Sequence, residues 1–471
     1  MSGRVPGTVA TDLPNAADRP SWVSEHFGIT MADRSAPVGL TMDDMLRLAL
    51  RRNPKRAQLL VSTMLGKHLA ADPVVIAGVG RMLGALVARR LADVVEPVPQ
   101  AWVTAARQAV SGADPAALER VLDEVADDRP AGGLLVFGFA ETATSVGQLV
   151  ADQLRADYLH STRRTDGGTP VAAEFSEPHS HATGHLLRPA DPGLLASPGP
   201  LILVDDELST GRTALNVIEA LHGSNPRSRY VLAGLVDVRS DADDRNRAEL
   251  AERLGCRIEV VSVVRGSVRV PDGTAARVAA ALPDGPVTLA ASAAAPNPPV
   301  SRIELPWPGN VPHGGRHGFL DVQRAGFDTA VASAATRLGT VIGDSSRVLV
   351  LGTEELMYLP LRLALDLARN SRRRVAFQST TRSPVHAIDE PGYPIRRRMD
   401  FRSRVLGDRN EPAESRYIYN ACWFGSGTDP QLTEADLIVI VDDGHSLPGS
   451  AGVAATVAAG TGTPVLLAVL P

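Results

Sequence analysis

Residues 201–213 read LILVDDELSTGRT. Four apolar residues, Leu201–Val204, run into two acids. A short polar stretch then closes on Gly211-Arg212-Thr213, and ALNVIEALHG (214–223) follows as a helix. A short apolar run bounded by turn residues predicts a strand buried on both faces. Its C-terminal end is where open α/β sheets bind ligands. Asp205 and Asp206 point to opposite faces if the strand continues, and both can turn to one ligand if it ends before them. Ser209, Thr210 and Thr213 supply hydroxyls, and Gly211 lets the backbone approach a ligand without a Cβ. N–H groups converge at the helix N-terminus, an anion site. The strip offers donors for a phosphate and carboxylates for hydroxyls or a divalent cation, which together describe a sugar phosphate. An acidic strand end before a capped helix is the plainer reading, but it does not require Gly211, Thr213 and both acids at once.

The chain of 471 residues is 44% hydrophobic and 21% charged, enough for two or three globular domains. A net charge of −5 gives no basic footprint for nucleic acid. Two cysteines, Cys256 and Cys422, make neither a disulfide framework nor a zinc–cysteine site. No apolar run approaches a membrane span of roughly 18 residues, and the first 35 residues hold no signal-type apolar core. The expectation is a cytoplasmic protein with no membrane or nucleic-acid partner.

Residues 1–40 are expected to be a poorly ordered lead with a short segment near Trp22–Phe27. Residues 41–70 read as helical, 73–93 as a further helix, and 114–126 as another begun by Asp114-Pro115. The glycines of VVIAGVGRMLGALVARRLAD (74–93), Gly78, Gly80 and Gly84, miss the G-x-G-x-x-G spacing by one residue. They read as small residues on a helix-packing face. GGLLVFGFAET then opens an alternation of apolar strands and helices, with strands at RYVLAGLVDV (229–238) and CRIEVVSVV (256–264). This predicts a mostly parallel sheet covered on both faces. An Ala/Pro/Gly-rich linker spans 286–318. The expected domains are therefore 41–285 and 319–471.

The second half echoes the first. SRVLVLGTEELMYLPLRLALDLA (346–368) parallels GGLLVFGFAETATSVGQLVADQL (132–154), YLHSTRR parallels AFQSTTRS, and LIVIVDDGHSLPGS (437–450) parallels LILVDDELSTGRT. Three blocks in one order point to one fold used twice, although any two α/β domains share this texture. In the first half, LLVFGFAETAT ends a strand at Phe137 in a small-residue loop holding Gly138, Phe139, Ala140, Glu141 and Thr142. Between this loop and the acids lies HSTRRTDGGTPVAAEFSEPHSHATGHLL (160–187), which concentrates Glu174, Glu177, His179, His181 and His185. These residues suit a lid that closes over substrate, a metal site or a solvated loop. Arg163 and Arg164 suit phosphate binding or a surface pair. Arg52, Lys55, Arg56, Lys67 and His68 suit an anion or a solvated helix face.

The pattern of apolar strand, two acids, short spacer and Thr-Gly-x-Thr resembles the 5-phosphoribosyl-1-pyrophosphate (PRPP) signature of type I phosphoribosyltransferases. FGFAETAT, EFSEPHSHATGH and VDDELSTGRT together resemble a bacterial, orotate phosphoribosyltransferase-like family. Its members carry a C-terminal TRSP domain, and the namesake residues stand here as Thr381-Arg382-Ser383-Pro384. The resemblance covers about residues 45–285 and 315–465. It implies a type I phosphoribosyltransferase α/β fold followed by a diverged second α/β domain. It also implies a link to tellurite resistance and stress, with nucleoside biosynthesis as the pathway. Asp205 and Asp206 would hold the ribose hydroxyls. Ser209, Thr210, Gly211, Arg212 and Thr213 would wrap the 5-phosphate, and Gly138, Phe139, Ala140 and Thr142 would cradle pyrophosphate. Catalysis is expected to involve Asp205, Asp206, Glu141, His179 and His181, with no general base assigned. Magnesium would bind mainly substrate oxygens, with no protein metal centre.

In the second half VDDGHSLPGS lacks Gly-Arg-Thr, and Pro448 removes a donor. Glu355, Thr381, Arg382, Ser383, Asp442 and Asp443 are the candidates for a second-half ligand. A purely structural half is the alternative. The expected activity is ribosylation of a base-like small molecule from PRPP with release of pyrophosphate, and a homodimer is a candidate assembly. A PRPP- or nucleotide-sensing regulator is the rival reading, and a phosphorylase-like or hydrolytic activity is a third.

Overall fold

The computed structural model describes residues 21–51, 53, 56–125, 133–164, 168–175, 184–282, 298–403, 414–421, 435–444 and 452–471. The first half runs α1 (Trp22–Phe27), β1 (Thr30–Ser35), α2 (Met42–Met45), β2 (Leu46–Leu50), β3 (Gln58–Ser62), α3 (Pro73–Leu91), α4 (Gln100–Val110), α5 (Ala117–Glu124) and β4 (Leu135–Gly138). It continues with α6 (Thr144–Leu154), β5 (Asp157–His160), β6 (Ala173–Phe175), β7 (His185–Leu187), β8 (Leu201–Leu208), α7 (Arg212–Ser224), β9 (Arg229–Asp237), α8 (Asp241–Leu254), β10 (Arg257–Arg269) and α9 (Thr274–Ala281). The second half holds β11 (Val300–Glu304), α10 (Arg324–Ile342), β12 (Arg347–Gly352), α11 (Tyr358–Arg369), β13 (Arg374–Ser379), β14 (Arg398–Ser403), β15 (Glu414–Tyr419), β16 (Leu437–Asp442), α12 (Val453–Thr461) and β17 (Val465–Val469).

The first sheet has the order β1-β10-β9-β8-β4-β5, parallel throughout except for β1. Its central strands are apolar along their length because helices cover both faces. The second sheet, β11-β17-β16-β12-β13, is all parallel. The run β13-β12-β16-β17 repeats β5-β4-β8-β9, and an antiparallel hairpin follows β13 as one follows β5. The sequence echo is therefore a repeated topology. The edge strands differ, since β11 precedes its half in the chain while β10 follows β9.

α3 begins at Pro73 behind Asp72, whose side chain accepts from Val74 N–H. A Cβ on Gly78, Gly80 or Gly84 would lie 2.9 Å or less from Leu118, Leu149 or Gln153. These glycines therefore let α5 and α6 approach α3 closely, as the packing-face reading expects. Three expectations fail. Residues 41–70 contain only the four-residue α2 and then the hairpin β2–β3, because a short apolar run carries no periodicity that separates strand from helix. Within the expected poorly ordered lead, α1 stands where the short segment near Trp22–Phe27 is expected, but β1 also forms and completes the edge of the first sheet. Residues 300–304, expected in a linker, form strand β11.

Each half covers an edge of the other. Residues 315–319 run along β5, with reciprocal backbone hydrogen bonds between Tyr158 and Phe319 at 2.8 Å. Residues 66–71 run along β13, where Ala71 and Phe377 exchange backbone hydrogen bonds and Ser379 N–H donates to Gly66 O. Exposed strand edges invite foreign pairing, and this exchange covers both. Between the sheets Phe327 lies fully buried among Phe319, Trp307 and Tyr358. One hydrophobic core includes residues from both halves. No described helix is long and apolar enough to cross a membrane.

Candidate active site

Two strand-to-helix connections build the site. β8 carries Asp205 and Asp206 and does not stop at Val204. Its ladder with β9 runs on to the pair Leu208↔Asp237, because β9 stays extended and buried to Asp237. The acids thus alternate along an extended strand, and the expected strand end before them is corrected. Asp205 Oδ1 accepts from Asp206 N–H at 2.9 Å. Gly211 then sits in the left-handed region at φ 71°, immediately before α7. A Cβ there would also approach Arg239 Cδ to 3.2 Å, so both conformation and space favour glycine. Thr210 Oγ1 accepts from Arg212 N–H at 3.3 Å. The residue capping α7 has no side chain to offer its first-turn donors, which leaves the positive end of the helix for an anion.

The loop after β4 meets this strip. Thr142 Oγ1 donates to Asp206 Oδ1 at 2.9 Å, and Lys67 Nζ stands 3.6 Å from Asp206 Oδ2. Burial pushes the Asp206 carboxyl upward, but Lys67, the Asp205 and Thr142 side chains and His68 outweigh it. The net pKa lies below the ordinary range, and Asp206 is ionised. Within the loop, Phe139 N–H donates to Val204 O and Ala140 N–H to Ser161 Oγ. Those two donors hold the loop in place. Among the described residues no acceptor faces Glu141 N–H or Thr142 N–H, so the loop's open donors are these two rather than the whole Gly138–Thr142 set. Thr144 Oγ1 donates to Glu141 O and closes the loop onto α6.

His185, expected with the lid, lies fully buried at the base of hairpin β6–β7, stacked on Phe175. Arg163 Nη2 donates to its Nε2 at 3.0 Å, so its Nδ1 carries the proton and donates to Ser161 Oγ at 2.9 Å. His179 and His181, with Glu177, lie outside the described residues, as do Arg52, Lys55 and Pro448. Lys67 and His68 are not on a solvated helix. They sit on the 66–71 segment clamped against β13, with His68 2% exposed and its Nε2 unpaired among the described residues. Burial, reinforced by Lys67, holds His68 well below the ordinary histidine pKa, so it is neutral. Arg56 pairs with Glu207 at 2.5 Å. Sequence order gives no sign that residue 67 meets residue 206; only the pairing of the 66–71 segment with the second sheet places it there.

The second-half candidates form a separate group. Glu355 and Asp443 are bound by Arg316 and Arg164, with Arg164 Nη1 at 2.7 Å from Asp443 Oδ2 and Arg316 Nη2 at 3.2 Å. Thr162 Oγ1 adds a hydrogen bond to Glu355 Oε2 at 2.9 Å. Burial raises the Glu355 pKa, but Arg316, Arg164 and His160 pull it down to about 2. Asp442 Oδ1 accepts from Gly444 N–H at 2.7 Å, and Thr381 Oγ1 accepts from Ser383 N–H at 3.1 Å. Arg382 points elsewhere, to Glu141 of the first half at 2.5 Å.

His160 lies beneath this cluster, 4% exposed, with Nδ1 donating to Ser161 O at 2.8 Å. Burial, with help from Arg316 and His317 and against Glu355, lowers its pKa to about 4. A lowered pKa stabilises the fold above the unfolded value near 6.5 and loses that contribution as pH falls toward 4. Unfolding stability should therefore fall between pH 6.5 and 4 at up to about 1.4 kcal/mol per pH unit. His160→Gln should flatten that slope; denaturant titrations giving parallel profiles for both proteins would refute the assignment.

Residues 45–267 match the family described as phosphoribosyl transferase, and residues 313–454 match the TRSP domain found C-terminal to it. Among solved structures, this chain is similar to adenine phosphoribosyltransferase from Trypanosoma brucei, with 13% identity, a TM-score of 0.23, and coverage of 33% of this chain and 68% of that one. Giardia lamblia adenine phosphoribosyltransferase gives 23% identity and a TM-score of 0.22, covering 33% of this chain and 84% of that one. Orotate phosphoribosyltransferase from Aeropyrum pernix gives 21% and 0.19, covering 32% and 73%. No curated protein matches.

Proposed function

We propose that this phosphoribosyltransferase, a phosphoribosyl transferase domain followed by a TRSP domain, moves the phosphoribosyl group of PRPP to a nitrogen of a base-like small molecule. The observation that carries this reading is the junction of the two motifs. The Thr142–Asp206 hydrogen bond joins the loop after β4 to the acidic strand before α7. An anion at the start of α7 and a second anion at the 138–142 loop would then flank a sugar whose hydroxyls meet Asp206 directly and Asp205, which alternates with it along β8, through water.

In this reading the acceptor nitrogen forms a bond to ribose C1 as the C1–O bond breaks, and that electron pair leaves on pyrophosphate. The acceptor's proton passes to solvent or pyrophosphate, and no residue is assigned as base. Ser209, Thr210, Gly211, Arg212 and Thr213 bind the 5-phosphate. Glu141 and Thr142 offer N–H donors to pyrophosphate, and Lys67 offsets the acidic cluster. The chemistry rests on orientation and on charge stabilisation of the leaving group. Among the described residues no three His, Cys, Asp or Glu side chains converge on a metal position. In this reading a magnesium ion is held chiefly by substrate oxygens, with Asp205 and Asp206 nearby. Magnesium, when bound, would neutralise charge on the departing pyrophosphate. The orotate-like assignment, the link to tellurite resistance and a nucleoside pathway rest on the motif resemblance and belong to this proposal.

Calorimetry with PRPP, with and without magnesium, followed by a panel of candidate bases and a pyrophosphate assay, tests the reading. Magnesium-dependent binding with pyrophosphate release is the expected result. Binding without release from any base would favour a PRPP sensor, and absence of binding would overturn the site.

A further inference from the structure

Arg382, the arginine of the TRSP motif, is anchored in the second half. Thr380 N–H donates to Gly352 O, and Thr381 exchanges backbone hydrogen bonds with Tyr417 of β15. Its guanidinium nevertheless reaches the first half. Nε lies 2.5 Å from Glu141 Oε1, Nη2 is 3.2 Å from Glu354 Oε2, and Nη1 is 3.2 Å from Glu414 Oε2. The contact to Glu141 is an ion pair, not an aligned hydrogen bond, because Nε has no hydrogen-bond partner of good geometry. Arg416 Nε fixes Glu354 from behind at 2.8 Å. Arg382 and Glu141 side chains are 18% and 8% exposed, so the pair is largely screened from water.

The repeat has a counterpart to this contact on the other side. By position in the repeat, Glu355 corresponds to Glu141, Thr162 to Thr381 and Arg163 to Arg382. On the second-half side, Glu355 is bound by Thr162 of the first half and by Arg316 of its own, and Arg164 of the first half pairs with Asp443, so those acids too are met from across the interface. On the first-half side, the loop acid Glu141 meets one second-half arginine, and Asp206 stays with Thr142 and Lys67. Burial, with Glu354 beside it, raises the Glu141 pKa, and Arg382 is the main group opposing that rise. Each loop acid is thus held from across the interface, and Glu141 is the one beside the intact Gly211-Arg212-Thr213 strip.

We propose that Arg382 is a positioning residue for the first half's site: through Glu141 it fixes the 138–142 loop and aims the Glu141 and Thr142 N–H groups at the pyrophosphate group of the substrate. The TRSP motif then serves the neighbouring half, not a ligand of its own. This rests on the PRPP reading for the ligand, but the ordering of the loop is independent of it.

The test uses the full chain with Arg382→Gln, Arg382→Lys, Glu141→Gln and the double variant Arg382→Gln/Glu141→Gln. Two readouts are taken: amide hydrogen exchange of residues 138–144 without ligand, and PRPP affinity by calorimetry with magnesium. Arg382→Gln and Glu141→Gln should each speed loop exchange and weaken PRPP roughly tenfold to a hundredfold. The double variant should lose little more than either single one, and Arg382→Lys should recover part of the loss. Unchanged exchange in both single variants would overturn the inference, as would weakened PRPP with an unaltered loop. Glu141→Gln carries the test if Arg382→Gln fails to fold. If the wild type binds no PRPP, the transferase reading falls while loop exchange still decides the role of Arg382.

Discussion

Asp205→Asn combined with Asp206→Asn should reduce PRPP affinity by about 100-fold or more, while the circular dichroism spectrum stays that of the wild type. Each carboxylate that accepts from a ribose hydroxyl contributes about 1.5–3 kcal/mol as a charge-assisted hydrogen bond. Two such losses exceed 100-fold at about 1.4 kcal/mol per decade. The fold should persist because the β8 ladder is made by backbone groups, and Asn keeps the size of Asp. The amide oxygen introduced by Asp206→Asn would still accept from Thr142 Oγ1, whose native distance to Asp206 is 2.9 Å. Lys67 would lose its ionic partner at 3.6 Å, a change that salt could partly mask, so the titration belongs at low ionic strength. A folded double variant with wild-type affinity would remove Asp205 and Asp206 from the ribose site, and with them the reading of LILVDDELSTGRT.

Phe327→Ala should destabilise the whole chain by about 3–5 kcal/mol, the usual cost of deleting a buried aromatic side chain. Phe327 is fully buried, with ring centroids 5.3 Å from Phe319, 5.4 Å from Tyr358 and 5.5 Å from Trp307. Phe319 is backbone-paired to Tyr158 of the first sheet, so the cavity would open in packing shared by both halves. The loss should appear in one cooperative transition, with fluorescence and circular dichroism coinciding. Two separate transitions, only one of them shifted, would show that the halves unfold independently and that the common core has no energetic meaning.

Much of the fold is legible in the chain. Apolar strands with polar loops at their C-terminal ends predict a parallel sheet, and three blocks in one order predict its second use. The β4 and β9 strands, the start of β8, α6, α7 and the helical glycines of α3 all stand where local pattern puts them. The Thr-Gly-x-Thr strip and the loop after β4 are equally visible as elements, because each occupies one strand-to-helix connection. Residues 46–62 defeat the local reading because LRLAL and QLLVS are short apolar runs, and pairing with each other, not periodicity, makes them strands.

What the sequence determined by itself was therefore what neighbours along the chain determine: strand, turn, helix start and the residue types at each connection. The tertiary structure decided which connections face one another. Lys67 reaches Asp206 because residues 66–71 lie along β13, where Gln378 Nε2 donates to the carbonyl of His68 across a separation of 310 positions. His185 is buried at the start of β7 because it stacks on Phe175 and hydrogen-bonds Ser161. Arg382 bridges the halves because it pairs with Glu354 and Glu414 of its own half and with Glu141 across the interface. Contacts of this kind carry no signal in spacing or composition, since they are set by the packing of two sheets against one shared core.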